Sequence, residues 1–500
     1  MTLTRALTTS SVFALMAGPA LADLTAEQVL ADQLSQMSMY GLTVQTTGQS
    51  RSGNTLTVEG LSASADIPNE DASMAFTMGG ASFTEQGDGS VLVTYPASIP
   101  VDVKVSGPGG EDFAVSMVIQ QSGMQNIVTG SPEQLRYEFT GQSMSISDLS
   151  FTAPDESGDV DMNIDMQMSG LQGVMNIAAG VVRPYDLDLT MDTMKVVADI
   201  KEPGGDGAFN VDINVADVTV AYAGQLAMQS LMDSFAETIK KGTRTSGSAS
   251  FGAANYTFGG NTPDGTIEGA ANVASGGITF AMDENGIDYS GQSSEITTTI
   301  GGSAIPLPPM TFKLAGYDQR FKLPVVPGEN SQGFALRIAM QGLEVDPILW
   351  SMIDPGNQLP RDPATVIIDT DGEVILTDDV FAPDYAEKAM MGPPGQINAA
   401  NINEVRVSLA GAELTGDGAF TFNNQFGIPM PIGTVNMMLT GGNTLMDTLV
   451  GMGLLPQEQA MGARMMMGMF ARPGDGPDTL VSTIEMKEDG SILANGQRIK

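Results

Sequence analysis

Asp369-x-Asp371-Gly372 and Asp283-x-Asn285-Gly286 each set two oxygen-bearing side chains two residues apart before a glycine, as a calcium loop begins. Thr238 and Lys241 stand three residues apart, the spacing at which a hydroxyl nucleophile and a lysine act together in one class of hydrolase. Met461, Met465, Met466, Met467 and Met469 crowd one segment, and thioether sulfurs are soft ligands for Cu(I). Arg361 and Arg406 stand out in a chain with few basic residues and carry the planar fork that holds a carboxylate or phosphate.

Each grouping also has a plainer reading. Neither calcium-like loop supplies the third ligand or the later bidentate Glu of an EF-hand, and Asp-Gly and Asn-Gly are hairpin-turn chemistry. The run Gly204-Gly205-Asp206-Gly207 misses the nonapeptide calcium pattern, because Phe209 stands where that pattern needs Asp. Lys241 ends an apolar stripe, where a cation favours a helix C-terminus. Methionine totals 34 and recurs along the whole chain, as a flexible core filler does. The two arginines have 59 acids to pair with.

Two absences narrow the chemistry further. With no histidine and no cysteine, the serine triad, thiol proteases, His-ligated zinc and iron-sulfur clusters are excluded in any standard form. Carboxylate pairs remain, yet the acids show no distinguishing spacing, and one Trp with 9 Tyr is a thin supply of sugar-stacking platforms. No catalytic, cofactor-binding or metal-binding residue is therefore assigned, and no cofactor is expected.

The elements that must position any site begin after an export signal. Met1 to Arg5 is a short basic n-region, Ala6 to Gly18 an apolar h-region, and Ala20-Leu21-Ala22 an A-x-A cleavage site, so residues 1–22 are expected to be removed after Ala22 and the protein to be periplasmic. No later run approaches the roughly 18–20 apolar residues of a spanning helix, so the mature chain is expected to have no transmembrane segment and to be soluble. At 42% apolar, the chain has the composition of a globular protein. Its net charge of -37 repels phosphate backbones and anionic headgroups, which speaks against nucleic acid as a partner. The sequence carries no signal of oligomeric state.

Thr25 and Gln28 have capping-box spacing, and Val29, Leu30, Leu34 and Met37 recur at helical intervals until Gly41. Strand alternation follows: Val160, Met162, Ile164, Met166 and Met168, then Phe209, Val211, Ile213 and Val215. Turn signals stand at Gly87-Asp88-Gly89, Glu284-Asn285-Gly286, Thr370-Asp371-Gly372, Glu488-Asp489-Gly490 and Ala494-Asn495-Gly496. A second helix is read from Leu226, Leu231, Met232, Phe235 and Ile239, and others over Val345 to Ile353, Leu445 to Leu455 and Gln457 to Phe470. The expected fold is mainly β with a few helices, α+β, built of large curved antiparallel sheets with amphipathic helices packed on them.

Loops or linkers are expected at Lys241 to Ser250 and Asp384 to Asn398, dividing the mature chain into β-rich domains over 23–245 and 246–500, the second a candidate diverged repeat of the first. Two short matches bear on a repeat: Phe139 to Ser143 with Tyr289 to Ser293, and Gly205 to Phe209 with Gly416 to Phe420. Prolines around Asp354-Pro355-Gly356 and Leu359-Pro360-Arg361-Asp362-Pro363 stop the helix that carries Trp350 and force an ordered turn.

The runs LWSMIDPGNQLPRDPATVIIDTDGE (Leu349 to Glu373), GTVNMMLTGG, LVGMGLLPQEQAMGARMMMGMFARPG and EDGSILANGQRI (within Gly433 to Ile499), and the earlier SRSGNTLTVEGLSASADI, resemble the bacterial exported family known as domain of unknown function 2125. The resemblance extends over nearly the whole mature chain and implies no activity, because that family has none assigned. The order strand, strand, apolar helix in GDGAFTFNN, GTVNMMLTGG and LMDTLVGMG resembles envelope proteins of the AsmA kind, which implies a part in outer-membrane assembly or lipid movement.

These readings favour a non-enzymatic envelope protein that binds a lipid or a protein segment in an apolar, Met-lined groove, with Trp350, Met461, Met465, Met466 and Met469 as candidate groove residues. The alternative is a carboxylate- or lysine-dependent hydrolase of envelope polymers, which would need buried acids of raised pKa in a cleft. An outer-membrane barrel is disfavoured by the 6% aromatic content.

Overall fold

The computed structural model describes residues 23–67, 72–106, 112–152, 161–201, 207–228, 234–382, 385–390, 392–424 and 428–500. The expected export signal over 1–22 lies outside them, as do Val160, Leu231 and Met232. Helix α1 (Ala26–Ser38) begins at the expected capping box: Gln28 N donates to Thr25 Oγ1 at 3.3 Å and Thr25 N to Gln28 Oε1 at 2.9 Å. Strand alternation then carries β1 (Thr43–Ser52), β2 (Thr55–Ile67), β3 (Ala72–Glu85), β4 (Val91–Thr94), β5 (Ser98–Ser106), β6 (Asp112–Ser122), β7 (Gln125–Ser131), β8 (Gln134–Thr152), β9 (Asp161–Ala178), β10 (Val182–Lys201) and β11 (Ala208–Ala227). A short α2 (Phe235–Lys240) leads into β12 (Arg244–Phe251), β13 (Ala253–Thr262), β14 (Gly265–Val273), β15 (Ser275–Asp283), β16 (Gly286–Gly301), β17 (Met310–Leu323) and β18 (Gln332–Leu343). The remainder holds α3 (Pro347–Ile353), β19 (Ala364–Leu376), α4 (Tyr385–Ala389), β20 (Gly395–Leu409), β21 (Ala412–Asn423), β22 (Met430–Thr440), α5 (Gly442–Gly451), α6 (Gln457–Phe470), β23 (Arg472–Pro473), β24 (Thr479–Met486), β25 (Ile492–Ala494) and β26 (Gln497–Arg498).

The protein is mainly β with a few helices, and its described strands form one antiparallel meander rather than several sheets. β3 pairs with two collinear strands, β4 and β5; these pair in turn with β7 and β6, and β8 spans both. The arrangement recurs from β11 through β12 and β13, then β15 and β14, to β16. Phe139 to Ser143 and Tyr289 to Ser293, one of the two short matches, lie in the strands that close these two splits. The other match gives no such equivalence, since Phe209 is near the start of β11 and Gly416 to Phe420 lie within β21.

A line of kinks crosses the meander. The register skips the rung at Gly48 and Glu59, at Gln142 and Gly170, at Gly170 and Asp192, at Asp192 and Asp217, and at Glu295 and Ala315. Gly48, Gly170, Asp217, Glu295 and Gly342 hold φ of 60°, 63°, 53°, 49° and 70°. Each kink slips the alternation by one residue, so Met166 and Met168 are followed by Leu171, Leu189 and Met191 by Met194, and Ile213 and Val215 by Val218. The slip keeps apolar side chains on one face on both sides of the line, and all of these residues but Met166 meet in a single cluster with Met144, Phe251 and Tyr256. At Gly170 a Cβ would both occupy left-handed φ and stand 2.1 Å from Asp192 Oδ2. Gly170→Ala is therefore expected to cost about 1–3 kcal/mol in urea unfolding, mostly from the backbone since the carboxylate can swing aside. Equal stability of variant and parent would show that the kink is relaxed.

α1 lies over the first part of this face. Its Ala26, Val29 and Leu30 share a core with Leu56 and Val58 of β2, Phe83 of β3, Val91 and Val93 of β4, and Leu135 and Tyr137 of β8. Burial of Val29 and Leu30 stabilises by about 1.5–3 kcal/mol each.

Several expected elements fall differently. Leu226 belongs to β11, paired with Arg183, and the helix starts only at Phe235, where Ser234 Oγ accepts from Glu237 N at 3.3 Å. Thr370-Asp371-Gly372 is not a turn but the middle of β19: a Cβ on Gly372 would lie 2.2 Å from Ala399 O and 2.5 Å from Phe334 Cε1, so the glycine makes room for a cross-strand ring. Of the loop or linker expected over Lys241 to Ser250, the part from Arg244 onward lies in β12, whose small polar residues pair with β11 on one edge and β15 on the other, carrying the sheet across residue 245. The segment Asp384 to Asn398 contains α4 and the first residues of β20, and the helix expected from Val345 begins at Pro347.

Candidate apolar binding face

Cross-strand register builds the candidate face row by row. Met144 of β8, Met168 of β9, Met194 of β10, Val215 of β11, Ala254 of β13 and Val273 of β14 pair in succession to form one apolar row. The next row contains Met166, Val196, Ile213 and Tyr256. Intervening positions, such as Gln167, Lys195 and Asn214, turn to the opposite face, and Lys195 pairs there with Asp212 at 3.1 Å. The main helix-to-sheet contacts are α1 on β1 to β3 and α5 on β21, so side chains over β9 to β14 cover one another only in part. Phe209 remains 46% exposed there. A cavity of about 210 Å³ beside Leu30, Met37 and Phe83 of the α1 region indents this surface, whereas one of about 420 Å³ lined by Gln167, Lys195 and Asn214 opens on the opposite face.

Farther along, Phe334, Leu336, Ile338 and Met340 of β18 continue the face. The opposite face of the same strands is ionic. Arg337 lies between Asp318 at 2.5 Å and Asp369 at 2.7 Å, while Arg320 holds Asp288 at 2.7 Å. Asn403 and Asn401 donate to Asp371 at 2.6 and 2.7 Å and hold its carboxyl below the usual range. Asp369 and Asp371, whose spacing resembles the start of a calcium loop, thus serve a cross-strand polar ladder. Every described carboxylate with a displaced pKa is displaced downward, by hydrogen-bond donors or arginine, which is the opposite of what a general acid needs.

The deepest charge in the N-terminal region is structural. Arg183 on β10, 3% exposed, forms an ion pair with Asp32 on α1 and donates through Nε to Ala178 O at 3.1 Å. Asp32 also accepts from Tyr137 Oη at 2.6 Å and Gln36 Nε2 at 2.7 Å. Burial, and then the hydrogen bond to Asp32, push the Tyr137 phenol upward, keeping it a donor. This cluster ties α1 to β8 and β10.

Trp350 and the methionines occupy separate places. Met461, Met465, Met466 and Met469 point outward from α6 at 62%, 72%, 62% and 62% exposure. Arg464 ties that helix to α5 through Asp447 at 2.5 Å, and Phe470 O accepts from Ser482 Oγ at 2.6 Å. Trp350 is half-buried on α3, with the Arg361 guanidinium 5.6 Å from its ring centre. No hydrogen bond, ion pair or ring contact among the described residues joins Trp350 to α6. Arg406 pairs with Glu413 at 2.7 Å, a local ion pair of the kind expected for it.

Two carboxylates fasten the Trp350 segment. Asp346 accepts from Ile348 N and Thr311 N, both at 2.8 Å; the fully buried Asp354 accepts from Gln358 N at 2.9 Å and Leu359 N at 2.8 Å. These backbone donors hold both carboxyls below their ordinary value. A folded-state pKa below the unfolded one contributes stability above the unfolded value, near 3.9, and loses it as pH falls through the folded value. The emission of Trp350, the only tryptophan, is expected to change below about pH 4. Asp354→Asn should blunt that change, and constant emission in acid would refute the coupling.

Sequence reasoning passed over one further part of this surface. A cavity of about 650 Å³ lies where β17 to β20 end, with Phe334, Val374 and Ile397 among its lining residues. Its sequence signal was Pro393-Pro394 inside an expected linker.

Residues 310–494, from β17 through β25, match a family described as "Uncharacterized protein conserved in bacteria (DUF2125)". The match contains Leu349 to Glu373 and most of the C-terminal motif, while SRSGNTLTVEGLSASADI lies outside it. No curated protein matches the chain.

Proposed function

We propose that this is an exported, non-enzymatic envelope protein that binds a lipid or an apolar protein segment along the face described above. The observation that carries this reading is the run of cross-strand Met, Val and Ile rows from β8 to β14, which no helix roofs among the principal contacts. Aligned kinks would curve the sheet around such a ligand, since bulges bend and twist the strands that hold them. Methionine suits a surface that must accommodate chains of loosely specified shape. Trp350 and the outward methionines of α6 would extend that contact surface at the C-terminal end. Downward-shifted carboxylates give hydrolysis no comparable support. Mass spectrometry of molecules released from natively purified protein is expected to find lipid or apolar peptide. A delipidated sample that binds no apolar probe would overturn the reading.

A further inference from the structure

We propose that the cavity at the ends of β17 to β20 is a discrete site for the end of an unbranched acyl chain. The proposal rests on the binding reading above and names where, and through which chemistry, one ligand end is held. The cavity measures about 650 Å³, within the size range of ligand pockets. Phe334, Val374 and Ile397, from three successive strands, form a continuous floor, and Val374 pairs directly with Ile397. The apolar face of the sheet therefore runs straight into the pocket.

The lining identifies the ligand by what it lacks. Among the described residues no ionisable side chain lines the cavity, although the chain carries 59 acids. Two of its polar groups already donate to backbone: Thr377 Oγ1 to Pro394 O at 2.9 Å and Asn424 Nδ2 to Ile397 O at 2.9 Å. A sugar, nucleotide or amino acid would leave polar atoms unmatched there, whereas a hydrocarbon chain only exchanges water for contact. The outer wall is preformed. Phe381 packs edge-on against Phe235 of α2, with ring centres 5.0 Å apart at 88°, and Asp379 accepts from Ser234 Oγ at 2.5 Å. The wall of the pocket is thus pinned by α2, and the ligand need not order it.

The test uses the full chain after delipidation, with two probes in separate arms. These are cis-parinaric acid, a fluorescent fatty acid, and vesicles of palmitoyl-oleoyl phosphatidylethanolamine with bound lipid read by mass spectrometry. Val374→Trp fills the floor, and Val380→Asp, in the loop that lines the cavity, sets a carboxylate against the chain. Either folded variant is expected to bind the probes about tenfold or more weakly, because an uncompensated charge or lost volume removes the hydrocarbon contact. Thermal unfolding checks folding, and Val380→Asp stands alone if the tryptophan variant misfolds. Uptake from vesicles assigns phospholipid tails as the source, and uptake of the free acid alone assigns fatty acid; both support the site. Unchanged affinity in the folded variants overturns the site but leaves the wider face as the binding surface. No binding of either probe by the parent protein overturns the site and the lipid reading of the face together.

Discussion

Replacing Asp32 with alanine is expected to lower stability by about 3–5 kcal/mol, because it leaves the Arg183 guanidinium buried without its counter-charge. Arg183 is only 3% exposed, so water cannot take the place of the lost carboxylate. The same change strands Tyr137 Oη and Gln36 Nε2, both of which donate to Asp32. The loss should appear as a lowered urea midpoint, with amide exchange rising first in α1. The double variant Asp32→Leu, Arg183→Met is expected to recover most of it, since a buried ion pair replaced by apolar groups of similar size is often neutral or better. A single variant as stable as the parent would mean that α1 is not held by this pair, and the helix would then be a detachable cover over the first strands.

α1 was legible because its signals are local: a capping box, an apolar stripe and a terminating glycine lie within sixteen residues of one another. The strand content was legible for a similar reason, since alternation of Met162, Ile164 and Met166 needs no knowledge of partners. The single meander was not, because register depends on residues far apart. Gly170 shows the difficulty: its kink is written in the sequence as a slip from Met168 to Leu171, but only the matching slips at Gln142 and Asp192 turn it into a line across the sheet. Asp371-Gly372 misled because the turn dipeptide also suits a strand where a ring must lie over a missing Cβ. The candidate methionines of α6 are exposed as a groove would need, yet Trp350 stands on α3 against Arg361. The cavity near Val374 draws on β17 to β20 and the loops beside them, a combination that no single stretch of sequence displays.

The double variant Met166→Asp, Val196→Asp is expected to weaken binding of an apolar probe, such as phenylnaphthylamine, by about tenfold or more, because it puts two carboxylates into the middle of the apolar rows. These residues are direct cross-strand partners on β9 and β10, so their charges would stand side by side on one face. Both are half-buried rather than enclosed, and like charges opposite one another across a sheet cost about 0.2–1 kcal/mol, so the fold should survive. Gln167→Asp provides the geometric control. It lies on β9 next to Met166 in sequence but on the other face, opposite Lys195, where a carboxylate meets a cation. Probe binding by that variant should match the parent, with thermal unfolding used to confirm equal folding of all three proteins. If both faces respond alike, the effect is one of net charge and the apolar rows are not the binding surface. If only the Met166 and Val196 face responds, the one-residue slips that keep methionine, valine and isoleucine together across the kinks are what create the binding surface.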